Sequence, residues 1–314
     1  MLKSKYIIPV LFLLMQAMIF GFRQPAQLHT IHTGNAGEIK DFFKYTPDRL
    51  PFVSAHRGGP RKGFPENCIA TFENTLSHCP ATLEIDPRFT KDGKIVLMHD
   101  PNLERTTNGT GRVVDHTLAE LKKLRLKDTE GNLTNFTIPT LDEALEWAKG
   151  KTILVIDAKD VPIDVRAGKV VEHKAEGSAI IIAYSIEDIQ KCYKVSKDIV
   201  MEVMAAKPEQ IAELDKCGVP WENMIGFVSH DMPQDKNMFS EIHKRGAMCI
   251  LGSSRNIDRQ FMNGKITAAE LEAGYLNLVR QGADVIEADL GIESGAALSS
   301  LQQAASSKAK YFRK

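Results

Sequence analysis

From residue 52 onward, short runs of apolar, largely β-branched residues recur along the chain. Most are followed by a stretch in which apolar positions return every three or four residues. The runs fall at residues 52–57, 82–86, 152–157, 179–184, 199–203, 224–229, 247–252 and 284–289, and their length and composition predict strands. Between most of them lie amphipathic segments, among them 140–149, 185–196 and 267–281, whose spacing predicts helices. Strands that alternate with helices pair in parallel, because parallel neighbours need a crossover connection. Eight such units in roughly 240 residues predict an α/β fold, a (β/α)8 TIM barrel.

One stretch breaks the period. After the second strand, Lys91-Asp92-Gly93-Lys94 reads as a turn, 95–99 as a further short strand, and about 101–139 as a polar insertion rich in Thr, Asn and Gly. An insertion after a barrel strand lies on the face where barrels place their chemistry. Residues 66–78 read as a helix, which would hold Cys68 and Cys79 about 16 Å apart, too far for a disulfide. The remaining cysteines, Cys192, Cys217 and Cys249, have no zinc-site spacing.

The N-terminus reads differently from the rest. Lys3 and Lys5 precede a largely apolar run over 6–22, after which the chain turns polar, the order of a secretory signal peptide. The expected organisation is a signal peptide at 1–26, a leader at 27–51 and the barrel at 52–314. A periplasmic or secreted protein without a membrane span in its mature form follows from it. Forty Lys+Arg balance forty Asp+Glu, so no basic footprint marks a nucleic-acid partner.

In such a barrel the C-terminal ends of strands carry the active groups. The first predicted strand ends in His56-Arg57-Gly58-Gly59, joining a proton carrier to an oxyanion clamp on a backbone that allows close approach. The second ends in Glu84-Ile85-Asp86, two carboxylates on one face, a spacing suited to a hard cation. Met98-His99-Asp100 follows in the inserted strand, and Asp157-Ala158-Lys159 closes the third. Each group alone has a bland explanation, but together they put two histidines, three acids, an Arg and a Lys on one rim.

These residues, with Pro65-Glu66-Asn67, Thr90-Lys91-Asp92-Gly93, Leu103-x-Arg105-Thr106-Thr107 and Gly109-Thr110-Gly111 in order, resemble the glycerophosphodiester phosphodiesterase family. The resemblance is dense from Ala55 to Gly111 and continues more thinly through Pro139-Thr140-Leu141, Asp157-x-Lys159 and a final strand ending at Asp289. It implies hydrolysis of a small-molecule glycerophosphodiester with Ca2+ or Mg2+. Glu84, Asp86 and Asp157 would be metal ligands, His56 and His99 the general acid/base pair, and Arg57 and Lys159 phosphate contacts.

Departures from the family pattern bear on the headgroup. Asp157 stands where the family usually has Glu. The aromatic residue usual at the end of the seventh strand is missing from Ile250 to Arg255, and Glu287 stands on strand eight where a neutral residue is usual. Glu202 on the fifth strand is a further pocket carboxylate if it points inward, and Arg255 a substrate contact. With Trp147 and Trp221 both away from strand ends, no cage for choline is expected, and a more polar or anionic alcohol is. His29, His32, His78, His116, His173, His230 and His243 read as surface or helix residues. Two other readings remain open: a non-catalytic module binding phosphorylated headgroups, and a glycosidase using Glu84 and Asp86. The second leaves the histidines unexplained, and its carboxylates lie closer than the ~5 Å separation such enzymes need.

Overall fold

The computed structural model describes residues 27–314 apart from 232–234, 236 and 304; the signal-peptide reading of 1–26 lies outside the described residues. Eight parallel strands close into a barrel. They are β1 (Phe52–Ala55), β2 (Ala81–Ile85), β3 (Leu154–Ile156), β4 (Ala179–Ala183), β5 (Val200–Met204), β6 (Met224–Ser229), β7 (Cys249–Gly252) and β8 (Val285–Ala288). Neighbours follow chain order, and β8 pairs with β1 in the register Val285↔Phe52 to close the ring. Helices α1 (Ile69–His78), α2 (Leu141–Ala148), α3 (Ile163–Glu172), α4 (Ile186–Val195), α5 (Pro208–Leu214), α6 (Asn237–Lys244), α7 (Ala268–Arg280) and α8 (Gly291–Leu298) follow the strands in turn.

Strand periodicity sorts the residues into two cores. Val53, Leu83, Leu154, Ile181, Met201 and Leu251 face outward and pack against the helices. Phe52, Val155, Ile180, Val200, Ile225, Ile250 and Val285 fill the barrel interior. The same inward parity, carried to the C-terminal ends, reaches Glu84, Asp157, Glu202 and Glu287, which line one cavity. The apolar interior thus gives way to charge at the C-terminal ends of the strands. The other end is plugged by a helix over Ala36–Phe43, whose Phe42 packs against Phe52, the tilted rings 5.1 Å apart, and edge-on against Tyr311 at 5.5 Å.

The stretch between β2 and α2 has its own small core. Strands Pro87–Phe89 and Ile95–Leu97 pair antiparallel. Val96, Met98, Leu103, Val113, Leu121, Leu126 and Ile138 then pack together with Cys68. The helix expected at 66–78 begins only at Ile69, because Asn67 adopts a left-handed conformation (φ 54°) and turns its amide toward β2. All five cysteines are free and buried, and burial pushes the Cys79 and Cys192 thiols up to about 12.

Candidate active site

The site is organised around the turn after β1. His56–Gly58 form one turn of 3-10 helix, with Arg57 (φ 53°) and Gly58 (φ 84°) both in the left-handed region. Gly58 is required there, since a Cβ would fall 2.3 Å from the Phe72 ring. This strained turn points the Arg57 N–H at Glu84, whose Oε2 accepts at 2.7 Å. The neighbouring His56 donates through Nδ1 to Asp289 Oδ1 at 2.6 Å and leaves Nε2 free, 4.0 Å from Glu84 Oε2. Asp289 is itself seated: its N–H donates to Asp258 Oδ2 (2.9 Å), and buried Asp258 also accepts from Ser253 (2.8 Å) and Tyr275 (2.6 Å).

His99 mirrors this arrangement from the insertion. Its Nδ1 contacts Asp100 Oδ1 at 2.8 Å, and its carbonyl accepts from Arg88 Nε and Nη2 at 3.0 and 2.6 Å. Arg105 grips Asp100 (2.5 and 2.9 Å) and Glu66 (2.8 Å twice), and Glu66 in turn accepts from Arg57 Nη1 at 3.1 Å. Arg57 and His99 are thereby joined through one ionic chain. The Arg105 hydrogen bond holds the Asp100 carboxyl well below the usual carboxylate range. Arg57 keeps a buried Nε–H with no acceptor.

Between the histidines lie three buried acids. Oxygens of Glu84, Asp86 and Asp157 all fall within 4.8 Å of one another. Asn67 explains the late start of α1: its amide donates to Asp86 Oδ2 (2.6 Å) and its carbonyl oxygen accepts from the Asp86 N–H (2.9 Å). Lys159 bridges Asp86 and Asp157, touching Asp157 Oδ2 and lying 2.9 Å from Asp86 Oδ1. Tyr184 donates to Asp157 Oδ1 at 2.5 Å. Burial first, then the charges of Asp86, Asp157 and Glu287, push the Glu84 carboxyl well above its ordinary value. Burial acts the same way on Asp86, but Lys159 and Asn67 outweigh it and hold that carboxyl low. A buried donor set made entirely of carboxylate oxygens suits a hard divalent cation.

His56, Arg57, Glu84, His99, Asp157, Lys159, Glu202 and Arg255 all line a single cavity of about 400 Å³. Asp86 sits just behind it, fully buried. One expectation needs correction: His230, read as a surface residue, follows β6 into the cavity wall. Phe227 from β6 and Tyr184 after β4 also line that wall and were not singled out in the sequence. Strand parity could have found both, because Ile225 and Ile180 set the inward face. Asp289 as the partner of His56 was open to the same logic, once β8 closes against β1. His230 lies beyond the regular strand and carried no such signal.

Comparison with known proteins agrees with this geometry. Residues 56–261 match the model of the glycerophosphoryl diester phosphodiesterase family. The chain is 35% identical over 186 residues to the glycerophosphodiester phosphodiesterase of Caldanaerobacter subterraneus, covering 57% of this chain and 74% of that one. It is 30% identical over 184 residues to the Bacillus subtilis enzyme of the same name, covering 52% of this chain and 62% of that relative's length. A crystal structure of a glycerophosphoryl diester phosphodiesterase from Parabacteroides distasonis superposes with a TM-score of 0.88 at 41% identity, over 92% of this chain and all of that one.

Proposed function

The chain belongs to the glycerophosphoryl diester phosphodiesterase family, and from that premise we propose that it hydrolyses glycerophosphodiesters to a free alcohol and glycerol phosphate, with a divalent cation and a histidine pair. The observation that carries the reading is the buried triad Glu84, Asp86 and Asp157 flanked by two histidines, each with Nδ1 bound to a carboxylate. Glu84, Asp86 and Asp157 would hold Ca2+ or Mg2+, which would supply neutralisation of charge on the phosphoryl oxygens. Arg57 offers its unpartnered Nε–H to a phosphate oxygen, and Lys159, which lines the cavity while pairing with Asp86 and Asp157, would contact another.

Proton transfer then divides between the imidazoles. Burial alone would lower the His56 pKa, but the Asp289 hydrogen bond and the charges of Glu287 and Asp289 outweigh it and hold it above the ordinary value. His56 is therefore suited to protonate the leaving alkoxide through Nε2. His99 takes the proton of the attacking hydroxyl at its Nε2: attack by water gives glycerol phosphate directly, whereas attack by the substrate's own glycerol hydroxyl gives a cyclic phosphate that water must then open. Export forms part of the same proposal and rests on the charged, apolar, polar order of residues 3–27. Among the described residues no helix is long and apolar enough to cross a membrane.

The test is product analysis by 31P NMR with glycerophosphoethanolamine, the full chain and added Ca2+ or Mg2+. Glycerol phosphate and ethanolamine should form in equal amounts, and His56→Ala should lower the rate by roughly 10²-fold or more. No turnover of any glycerophosphodiester would overturn the reading.

A further inference from the structure

The cavity has a second wall, built from the ends of β5, β6 and β8, of which the hydrolytic steps above use only the charge of Glu287. Glu202 stands on the inward face of β5 and is only 2% exposed, yet its Oε2 has no hydrogen-bond partner. His230, on the same cavity wall, also buries an unpartnered atom, Nδ1. The nearest acid, Glu287 Oε1, lies 3.9 Å from that nitrogen, beyond hydrogen-bond reach. These groups are not loosely placed. A Cβ at Gly252 would fall 2.7 Å from His230 Nδ1, so the glycine at the end of β7 makes the histidine's seat. Asn256 then ties the two segments together, donating to the carbonyls of His230 and Gly252 at 2.9 Å each.

A buried polar atom without a partner destabilises a fold. Two of them on one cavity wall, with a third polar side chain between β7 and β1 facing the same space, point to partners brought by a ligand. Several hydroxyls would supply what these groups lack, since carboxylates accept from O–H groups and an imidazole nitrogen can accept or donate. A quaternary ammonium offers no donor, so whatever its attraction to the two acids it would leave Glu202 Oε2 and His230 Nδ1 without a hydrogen bond. Phe227, its ring centroid 4.7 Å from that of His230, supplies one apolar face, enough to stack against a sugar or polyol ring and too little for a cage.

We propose that Glu202, His230 and Glu287 form the subsite for the alcohol part of the diester and select an uncharged polyhydroxylated headgroup, a polyol or sugar. The inference rests on the diesterase reading and names its substrate class. A site that hydrogen-bonds hydroxyls rejects analogues lacking them far more strongly than a lost apolar contact would.

The experiment measures kcat/KM of the cation-loaded full chain on glycerophosphoinositol, glycerophosphoglycerol, glycerophosphoethanolamine and glycerophosphocholine, with bis(p-nitrophenyl) phosphate alongside. The two polyol diesters should exceed the choline diester by about 10²-fold or more. Glu202→Leu and His230→Ala should each narrow that ratio at least tenfold. Thermal melts check folding, and if the first variant does not fold the second carries the test. A choline or ethanolamine preference overturns the subsite. A uniform loss on all four diesters in the variants also overturns it, because the wall would then serve the common glycerol. Failure to cleave any of the five compounds instead overturns the diesterase reading, and the subsite with it.

Discussion

Replacing Asp289 by Asn probes the acid/base assignment at one atom. The carboxylate accepts the Nδ1–H of His56 at 2.6 Å and is held in place by its own N–H on buried Asp258, so an isosteric amide will sit where the acid sat. The amide can donate to Nδ1, which would move the imidazole proton to Nε2 and reverse the role of the nitrogen that faces the substrate. Losing a correctly oriented acid or base costs roughly 10²–10⁴-fold, so kcat/KM should fall by at least the lower figure. The pKa should move as well. In the parent protein burial lowers the His56 value and Asp289 restores it above normal; without the charge, burial is opposed only by Glu287. The limb of the pH–rate profile set by His56 should therefore shift to lower pH. Linkage gives a second readout, since a raised histidine pKa stabilises the fold fully below the unfolded value of about 6.5 and loses that stabilisation as pH rises through the folded value. Asp289→Asn should thus cost more stability at pH 5 than at pH 9. The assays are a pH–rate profile and denaturant unfolding at the two pH values. A variant within threefold of the parent, with its limb unmoved, would refute the role given to this pair.

Other perturbations test separate parts of the site. Glu84→Gln should abolish tight cation binding in calorimetry yet leave the cation-free protein as stable or more so. The raised Glu84 carboxyl means the folded state holds more protons than the unfolded one as pH climbs above about 4.3, so cation-free stability declines there, and added cation should restore it. Gly58→Ala combines a left-handed φ of 84° with a Cβ 2.3 Å from Phe72, and should cost about 2–4 kcal/mol in denaturant unfolding. Arg105→Ala removes a half-exposed residue, so stability should change by less than about 1 kcal/mol. Activity should still fall roughly tenfold as Asp100 loosens its hold on His99, and equal activity would mean that the ionic chain does not position the imidazole.

The barrel was legible because its strands are apolar on both faces and its helices on one, a contrast that survives in sequence. Strand ends were less so. Residues 56 and 57 read as strand but leave it for a strained turn, since His56 and Arg57 satisfy Asp289 and Glu84 rather than a ladder. Asn67 likewise reads as the start of a helix, and a hydrogen-bond pair with Asp86 from a distant strand overrides that local preference. The acids and histidines were visible as spaced motifs. His230 and the Tyr184–Asp157 contact were not, because each depends on which loops meet over the barrel mouth. Such proximity between segments far apart in the chain leaves no periodic trace.

The central claim is that the three acids hold a catalytically required divalent cation. It is tested most directly by the rate of alcohol release from a glycerophosphodiester, measured on the full chain after exhaustive chelation and then against increasing free Ca2+ or Mg2+. The rate should fall to background on chelation and return saturably with one of the two ions, whereas Glu84→Gln and Asp86→Asn should need far higher concentrations or fail to respond. Full activity in the chelated protein, or an unchanged response in both variants, would contradict the account.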